Sequence, residues 1–250
     1  MKQGKLKMII SPAKKMKEKE ILAATGQPRY LEETKKLLAV MQTMSEKELQ
    51  TVWKCNDAIA EENYRRIQQM DLQHAYTPAI LAYEGIQYKY MAPAVFEEKA
   101  YAYLQEHLYI LSGFYGALKP FDGVRPYRLE MQARFRRENL DSLYRYWGEK
   151  IAAAVLEEGS GLVNLASREY SKTVLPYLPE GMPCVTCVFG EIIEGKVKEK
   201  GTYAKMARGE MVRFMAENQI EETERLKDFD RHGYHFAPEW STGEKMVFLR

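Results

Sequence analysis

The chain has 250 residues, 46% hydrophobic and 29% charged, with a formal net charge of only +2. That length can bury a core without disulfides or metal, so disorder is excluded except at the extreme ends. The near-neutral balance excludes a partner chosen by whole-chain electrostatics, so any nucleic-acid surface must come from local clusters of Lys and Arg.

Three cysteines are too sparse for a disulfide framework and fit a reducing compartment. The apolar run from Met8 to Ile10 is too short for a signal-peptide core, and nowhere do about 18 apolar residues run together. A cytoplasmic protein with no membrane association is therefore expected. No repeat and no Gly/Ser- or Pro-rich linker divides the sequence, which predicts one domain over residues 1–250; the sequence leaves the oligomeric state open, with a monomer favoured.

Residues 5–11 (KLKMIIS) predict an opening strand halted by Pro12. Helical pattern runs from Tyr30 to about Met70, with Leu37, Leu38, Met41 and Met44 on one face and a Ser45–Glu48 capping box opening the next helix. Residues 79–84 (AILAYE) read as a short buried strand closed by Gly85. Pro93 suits the start of a helix over Val95 to Glu106. Leu108 to Leu111 reads as a strand or a short helix. Leu140, Leu143, Tyr144, Trp147, Ile151, Ala154 and Val155 fall on one helical stripe, which Gly159 and Gly161 end. A buried strand is predicted over 161–166 and β structure over 183–199 around the turn at Glu194-Gly195. A helix from Tyr203 to Asn218, capped by Thr202, and a strand over Lys245 to Leu249 complete the chain. Strands scattered among helices predict a mixed α/β (α+β) fold without a regular βαβ repeat.

The least ordinary segment is Leu111 to Met131 (LSGFYGALKPFDGVRPYRLEM). Gly113 and Gly116 permit a tight hairpin, and exposed N–H groups in such a turn can hold a phosphate oxygen. Ser112, Gly113, Phe114, Tyr115 and Gly116 resemble the hairpin of a helix-hairpin-helix DNA-binding motif, although two residues separate the glycines where one is usual. A tight structural turn with aromatic packing is the alternative. Downstream, Lys119, Arg125, Arg128, Arg134, Arg136 and Arg137 stand against only Asp122 and Glu130. Guanidinium groups suit phosphate oxygens, but a charge run is also the ordinary composition of a solvated face.

A second basic element is the helix TYAKMARGEMVRFMAEN, with Lys205, Arg208 and Arg213 opposite its apolar face. Gly209 costs this helix about 1 kcal/mol relative to Ala, which implies something close to the backbone, a ligand or another helix. Lys14 and Lys15 follow a predicted strand end, where α/β proteins place functional loops. Lys14 could bind phosphate or, if buried, act as a nucleophile. At NLASREYSK, Ser167 reads as a helix cap rather than a catalytic hydroxyl. Cys184-x-x-Cys187 has no second ligand pair for zinc, and its spacing on a strand puts the two thiols on opposite faces. His232 and His235 have no third ligand, and no nucleotide-binding glycine motif is present. No metal and no cofactor are expected.

The segments ISPAK, LSGFYGALKPFDGVRPYRLEM, YRYWG, NLASREYSK, YAKMARGEMVRFMAEN and GYHF resemble the YaaA family, in family order from Ile10 to Phe236. The resemblance implies a peroxide-stress protein with a compact α/β fold of its own type, a basic cleft and a helix-hairpin-helix-like element that binds duplex or distorted DNA. Carried over by position, it implies DNA contacts by Lys14, Ser112, Gly113, Phe114, Tyr115, Gly116, Lys119, Arg125, Arg128, Lys172, Lys205 and Arg208. An enzyme working on nucleic acid or a small molecule in the same cleft, with Lys14 or Lys205 as nucleophile or anion binder, is the alternative. Direct iron binding has no ligand cluster to support it.

Overall fold

The computed structural model describes residues 4–19, 21–74, 77–135, 137 and 140–250. Strand β1 (Lys5–Ile10) and the short β2 (Lys15–Met16) precede three helices, α1 (Leu31–Gln42), α2 (Glu46–Trp53) and α3 (Asp57–Gln68). Next come β3 (Thr77–Pro78), α4 (Ala79–Ala82), β4 (Tyr83–Glu84), α5 (Ile86–Met91) and α6 (Glu98–His107). The middle of the chain forms β5 (Leu108–Ser112), β6 (Gly116–Leu118), β7 (Gly123–Val124), α7 (Leu143–Trp147) and α8 (Lys150–Leu156). It closes with β8 (Gly159–Leu165), α9 (Arg168–Ser171), β9 (Cys184–Ile193), β10 (Lys196–Lys198), α10 (Gly201–Asn218), β11 (His235–Phe236) and β12 (Lys245–Leu249).

The main sheet has the order β11-β12-β9-β8-β1-β5-β6, with β10 paired to β9. Strands β12, β9, β8, β1 and β5 are parallel, while β11, β10 and β6 are antiparallel additions. This is the mixed α/β class that the scattered strands predict. Strand β1 lies between β8 and β5, and every residue from Leu6 to Ile10 is buried. Its unbroken Met8-Ile9-Ile10 run is what a strand covered on both faces requires. From β1 the chain moves outward through β5 to β6, and from β8 it moves the other way to β9. The sheet therefore has a switch point between β1 and β8, outside whose carboxyl ends a crevice opens.

Several local expectations hold. Ser45 and Glu48 form a reciprocal capping box at α2, and Glu194 and Gly195 turn the β9–β10 hairpin with positive φ at both. Others are corrected. Residues 79–84 form the turn of α4 followed by β4, because a short all-apolar run has no periodicity to separate helix from strand. Pro93 opens a 3₁₀ turn and the helix behind it starts only at Glu98. The predicted helix over 140–155 is broken at Gly148 into α7 and α8. Gly159 and Gly161 belong to β8 rather than to a helix end. Thr202 lies inside α10, whose first turn has no side-chain cap.

Gly209 has a structural reason. A Cβ built there would stand 2.2 Å from the Gln87 carbonyl oxygen and 2.9 Å from the Met91 amide. Helix α10 therefore touches α5 backbone to backbone, and helix packing, rather than a ligand, occupies the space. Gly209→Ala is expected to lower stability by about 1–3 kcal/mol in urea unfolding, although alanine is the better helix former.

Asp122 is buried beside the chain reversal after β6, and its Oδ2 accepts the Lys119 amide at 2.8 Å. Burial pushes its carboxyl up to about 7, against the lowering effect of that hydrogen bond. The native state thus holds a proton that an unfolded aspartate releases near pH 4. Stability should fall as pH rises from about 4 to about 7 and flatten above that range. Asp122→Asn, followed by thermal unfolding across this window, should remove that part of the slope.

Candidate functional site

The loops leaving β1 and β8 meet at the switch point. Ser11 follows β1, and its Oγ accepts the Ser167 amide at 2.8 Å and lies 3.2 Å from the Ser167 hydroxyl. Ser167 occupies the N-cap position of α9, but its hydroxyl makes no capping bond. Tyr88 on α5 donates to the Ser11 carbonyl at 3.0 Å. These contacts floor a cavity of about 510 Å³, within the range of ligand pockets.

The cavity wall carries five cations, Lys14, Lys15, Arg128, Lys205 and Arg208, and three carboxylates, Glu84, Glu130 and Glu169. Lys14 Nζ lies 3.0 Å from Glu130, and Arg128 lies 3.5 Å from the other oxygen of the same carboxylate. Glu169 is half-buried and accepts the Gln132 amide at 3.2 Å. Burial raises its carboxyl above the ordinary range and neighbouring Glu130 adds to the shift, while Gln132 and Lys14 oppose it. Two carboxylates in unlike surroundings, one tied to cations and one desolvated, are an arrangement suited to proton transfer. Burial also holds the Tyr88 and Tyr170 hydroxyls well above the phenol range, so they present neutral groups to the cavity.

The donors are unevenly satisfied. Arg208 reaches Glu199 through one terminal nitrogen at 3.1 Å. Its Nε, the Arg128 Nε and the Gln87 Nε2 are buried with no hydrogen-bond partner among the described residues. All three belong to residues that line this cavity.

Of the twelve residues expected to contact DNA, four converge here: Lys14, Arg128, Lys205 and Arg208. Lys119 lies in a different depression with Lys7 and Asp122, its ammonium on the Gln105 carbonyl at 3.1 Å and over the Tyr109 ring. Arg125 pairs with Glu18 at 2.7 Å outside the cleft, and Lys172 is exposed elsewhere on the surface. Arg136 lies outside the described residues.

Ser112, Gly113, Phe114, Tyr115 and Gly116 form a turn between two strands, β5 and β6, not between helices, and all five are buried. The helix-hairpin-helix expectation is therefore corrected. Close packing set this outcome. A Cβ on Gly113 would stand 2.6 Å from the Leu129 carbonyl oxygen, so the turn lies directly against the segment that carries Arg128 and Glu130. The Ser112 hydroxyl accepts the Phe114 and Tyr115 amides at 3.2 and 2.8 Å. With both lone pairs used, its proton goes to Tyr127 at 2.6 Å, whose hydroxyl continues to Tyr83 at 2.8 Å. The motif builds the cleft from behind.

Sequence reasoning placed neither Ser11 nor Gln87 among the site residues, whereas Glu130 and Tyr170, named with Lys14 and Arg128 for the enzyme alternative, do line the cavity. Ser11 is the last residue of the strand predicted over 5–11 and lies just past the observed end of β1, and a strand end of this kind was a usable signal. Gln87 had none, because the elements around it were misassigned.

An open, mainly parallel sheet with a polar crevice at its switch point defines the class of the chain, an α/β protein whose concavity lies outside the carboxyl ends of its central strands. The chain belongs to the family of peroxide stress protein YaaA, whose model matches residues 6–240. It is 51% identical over 246 residues to a UPF0246 protein of Pediococcus pentosaceus, covering 98% of each chain. A UPF0246 protein of Desulfitobacterium hafniense is 52% identical over the same span, again covering 98% of each chain. One of Lactiplantibacillus plantarum is 46% identical over 98% of this chain and 99% of its own. Among the described residues no helix is long and apolar enough to cross a membrane.

Ser112→Ala separates the two roles open to the hairpin. Removing the hydroxyl takes the acceptor from two buried amides and one of the two partners of the Tyr127 hydroxyl, so the urea midpoint should fall by the equivalent of about 1–3 kcal/mol. A residue serving only as a surface DNA contact would leave that midpoint unchanged.

Proposed function

We propose that this chain serves the peroxide response by holding an anionic ligand in the cleft at the switch point of its sheet. The observation that carries the reading is the convergence of Lys14, Arg128, Lys205 and Arg208, from three distant segments of the chain, on one cavity. Functional sites assemble by bringing polar groups from separate elements onto one concavity, and paired guanidiniums suit phosphate or carboxylate oxygens. A lysine nucleophile gains no support from burial. The Lys14 side chain is 65% exposed and Lys205 is exposed too, whereas nucleophilic lysines sit in desolvated or strongly cationic surroundings.

A second reading is DNA lying across the mouth of the cleft. One observation favours it: the segment beyond Lys14 carries Lys15, Lys17 and Lys19, which lead away from the cavity and all share a single carboxylate, Glu84. That leaves a local excess of positive charge for backbone phosphates, which carry no sequence information. A duplex is far too wide to enter the cavity, so its phosphates would meet the rim.

Both readings are tested together by thermal shift with phosphate and by fluorescence anisotropy with a labelled duplex at several salt concentrations. Arg128→Ala should abolish small-anion stabilisation. Lys17→Ala combined with Lys19→Ala should weaken the duplex alone. With four lysines on phosphates, log affinity should fall against log salt with a slope of about −3.6. A protein indifferent to both anions and duplex would end both readings.

A further inference from the structure

The cleft confines its anion more narrowly than charge alone does. Three residues of its wall each carry a buried donor that lacks a protein acceptor among the described residues: Gln87 Nε2, Arg128 Nε and Arg208 Nε. They come from three elements, α5, the segment after β7, and α10. Gln87 is a neutral residue only 7% exposed, so its amide is not held there by solvent. A buried donor left without an acceptor destabilises a fold, and three in one cavity wall are explained if an acceptor from outside serves them.

Their relative placement is set by the backbone. The Gln87 carbonyl packs against Gly209, the residue after Arg208, so the amide of α5 and the guanidinium of α10 stand on touching turns. Arg128 is fixed from behind, because Gly113 lies against the Leu129 carbonyl and Tyr127 is bonded to Ser112. A carboxylate offers two oxygens in one plane, which suits a single guanidinium fork. Donors arriving from three separate elements suit a group with three outward oxygens, and a phosphate monoester has three.

Resting on the anion-cleft reading above, we propose that the ligand carries a terminal phosphoryl group seated between Arg128, Arg208 and Gln87, and that Gln87 is the residue that selects it. The phosphoryl group can belong to a small phosphomonoester or to the end of a nucleic-acid strand.

The experiment titrates the full chain, by calorimetry and thermal shift, with inorganic phosphate, phenyl phosphate, succinate, and a short oligonucleotide with and without a 5′-phosphate. Phosphate and phenyl phosphate should bind and succinate should not. Gln87→Met should weaken phosphate binding about tenfold or more. It should leave the urea midpoint of the free protein unchanged or raise it, because it deletes an unsatisfied donor. A residue that merely supports the fold would lower that midpoint. Tighter binding of the 5′-phosphorylated oligonucleotide over its unphosphorylated twin assigns the group to a strand end, whereas equal weak binding of both, with phenyl phosphate still bound, assigns it to a small molecule. Either outcome upholds the phosphoryl seat. Preference for succinate, abolished by Arg128→Ala, overturns the phosphoryl assignment while the anion cleft survives. Phosphate binding untouched by Gln87→Met, or by Arg128→Ala, overturns the seat. No binding of any anion overturns the seat and the cleft reading together.

Discussion

The contact between α10 and α5 is the constraint on which the cleft depends. With no side chain at Gly209, the two backbones meet at a distance that even a methyl group would prevent. Lys205 and Arg208 stand on one side of this contact and Gln87 on the other, so the closeness of the helices sets the width of the cavity between them. The helical cost of a mid-helix glycine, about 1 kcal/mol, is offset by the dispersion and close packing gained along the rest of the interface.

A comparable logic governs the opposite wall. The glycine-rich turn between β5 and β6 has the composition of a surface loop, yet it is sealed inside the protein. Ser112 satisfies the backbone amides of the turn internally and passes a hydrogen bond on to Tyr127, one residue from Arg128. A turn with its N–H groups already used has none left to offer a phosphate. What remains is a rigid scaffold that presents Arg128 and Glu130 to the cavity at fixed positions, which is what an orienting site needs.

Charge in the cleft is mixed rather than uniformly basic. Five cations face three carboxylates, and the Lys14–Glu130–Arg128 cluster is already partly neutralised. A surface built only to attract polyanions gains nothing from carboxylates at its centre. A site that orients one small group gains direction from them. The exposed lysines of the rim are a separate feature, with looser geometry and greater solvent screening.

Much of the fold was legible in the chain. The unbroken apolar run of β1, the capping box at α2, the Glu194-Gly195 turn and the stripe of α10 are local patterns with local causes, and each appears where periodicity or turn chemistry puts it. The basic segments that supply Arg128, Lys205 and Arg208 were legible for the same reason. What the tertiary structure alone decided was which of these residues meet. Lys119, Arg125 and Lys172 carry the same charge as Arg128 but face other surfaces, because the direction of a side chain depends on the element that carries it. Burial of the Ser112–Gly116 turn, and the meeting of Gln87 and Arg208 on one cavity, arise from contacts between residues far apart in sequence. Such contacts leave no periodic trace along the chain, so composition named the chemistry and packing chose the site.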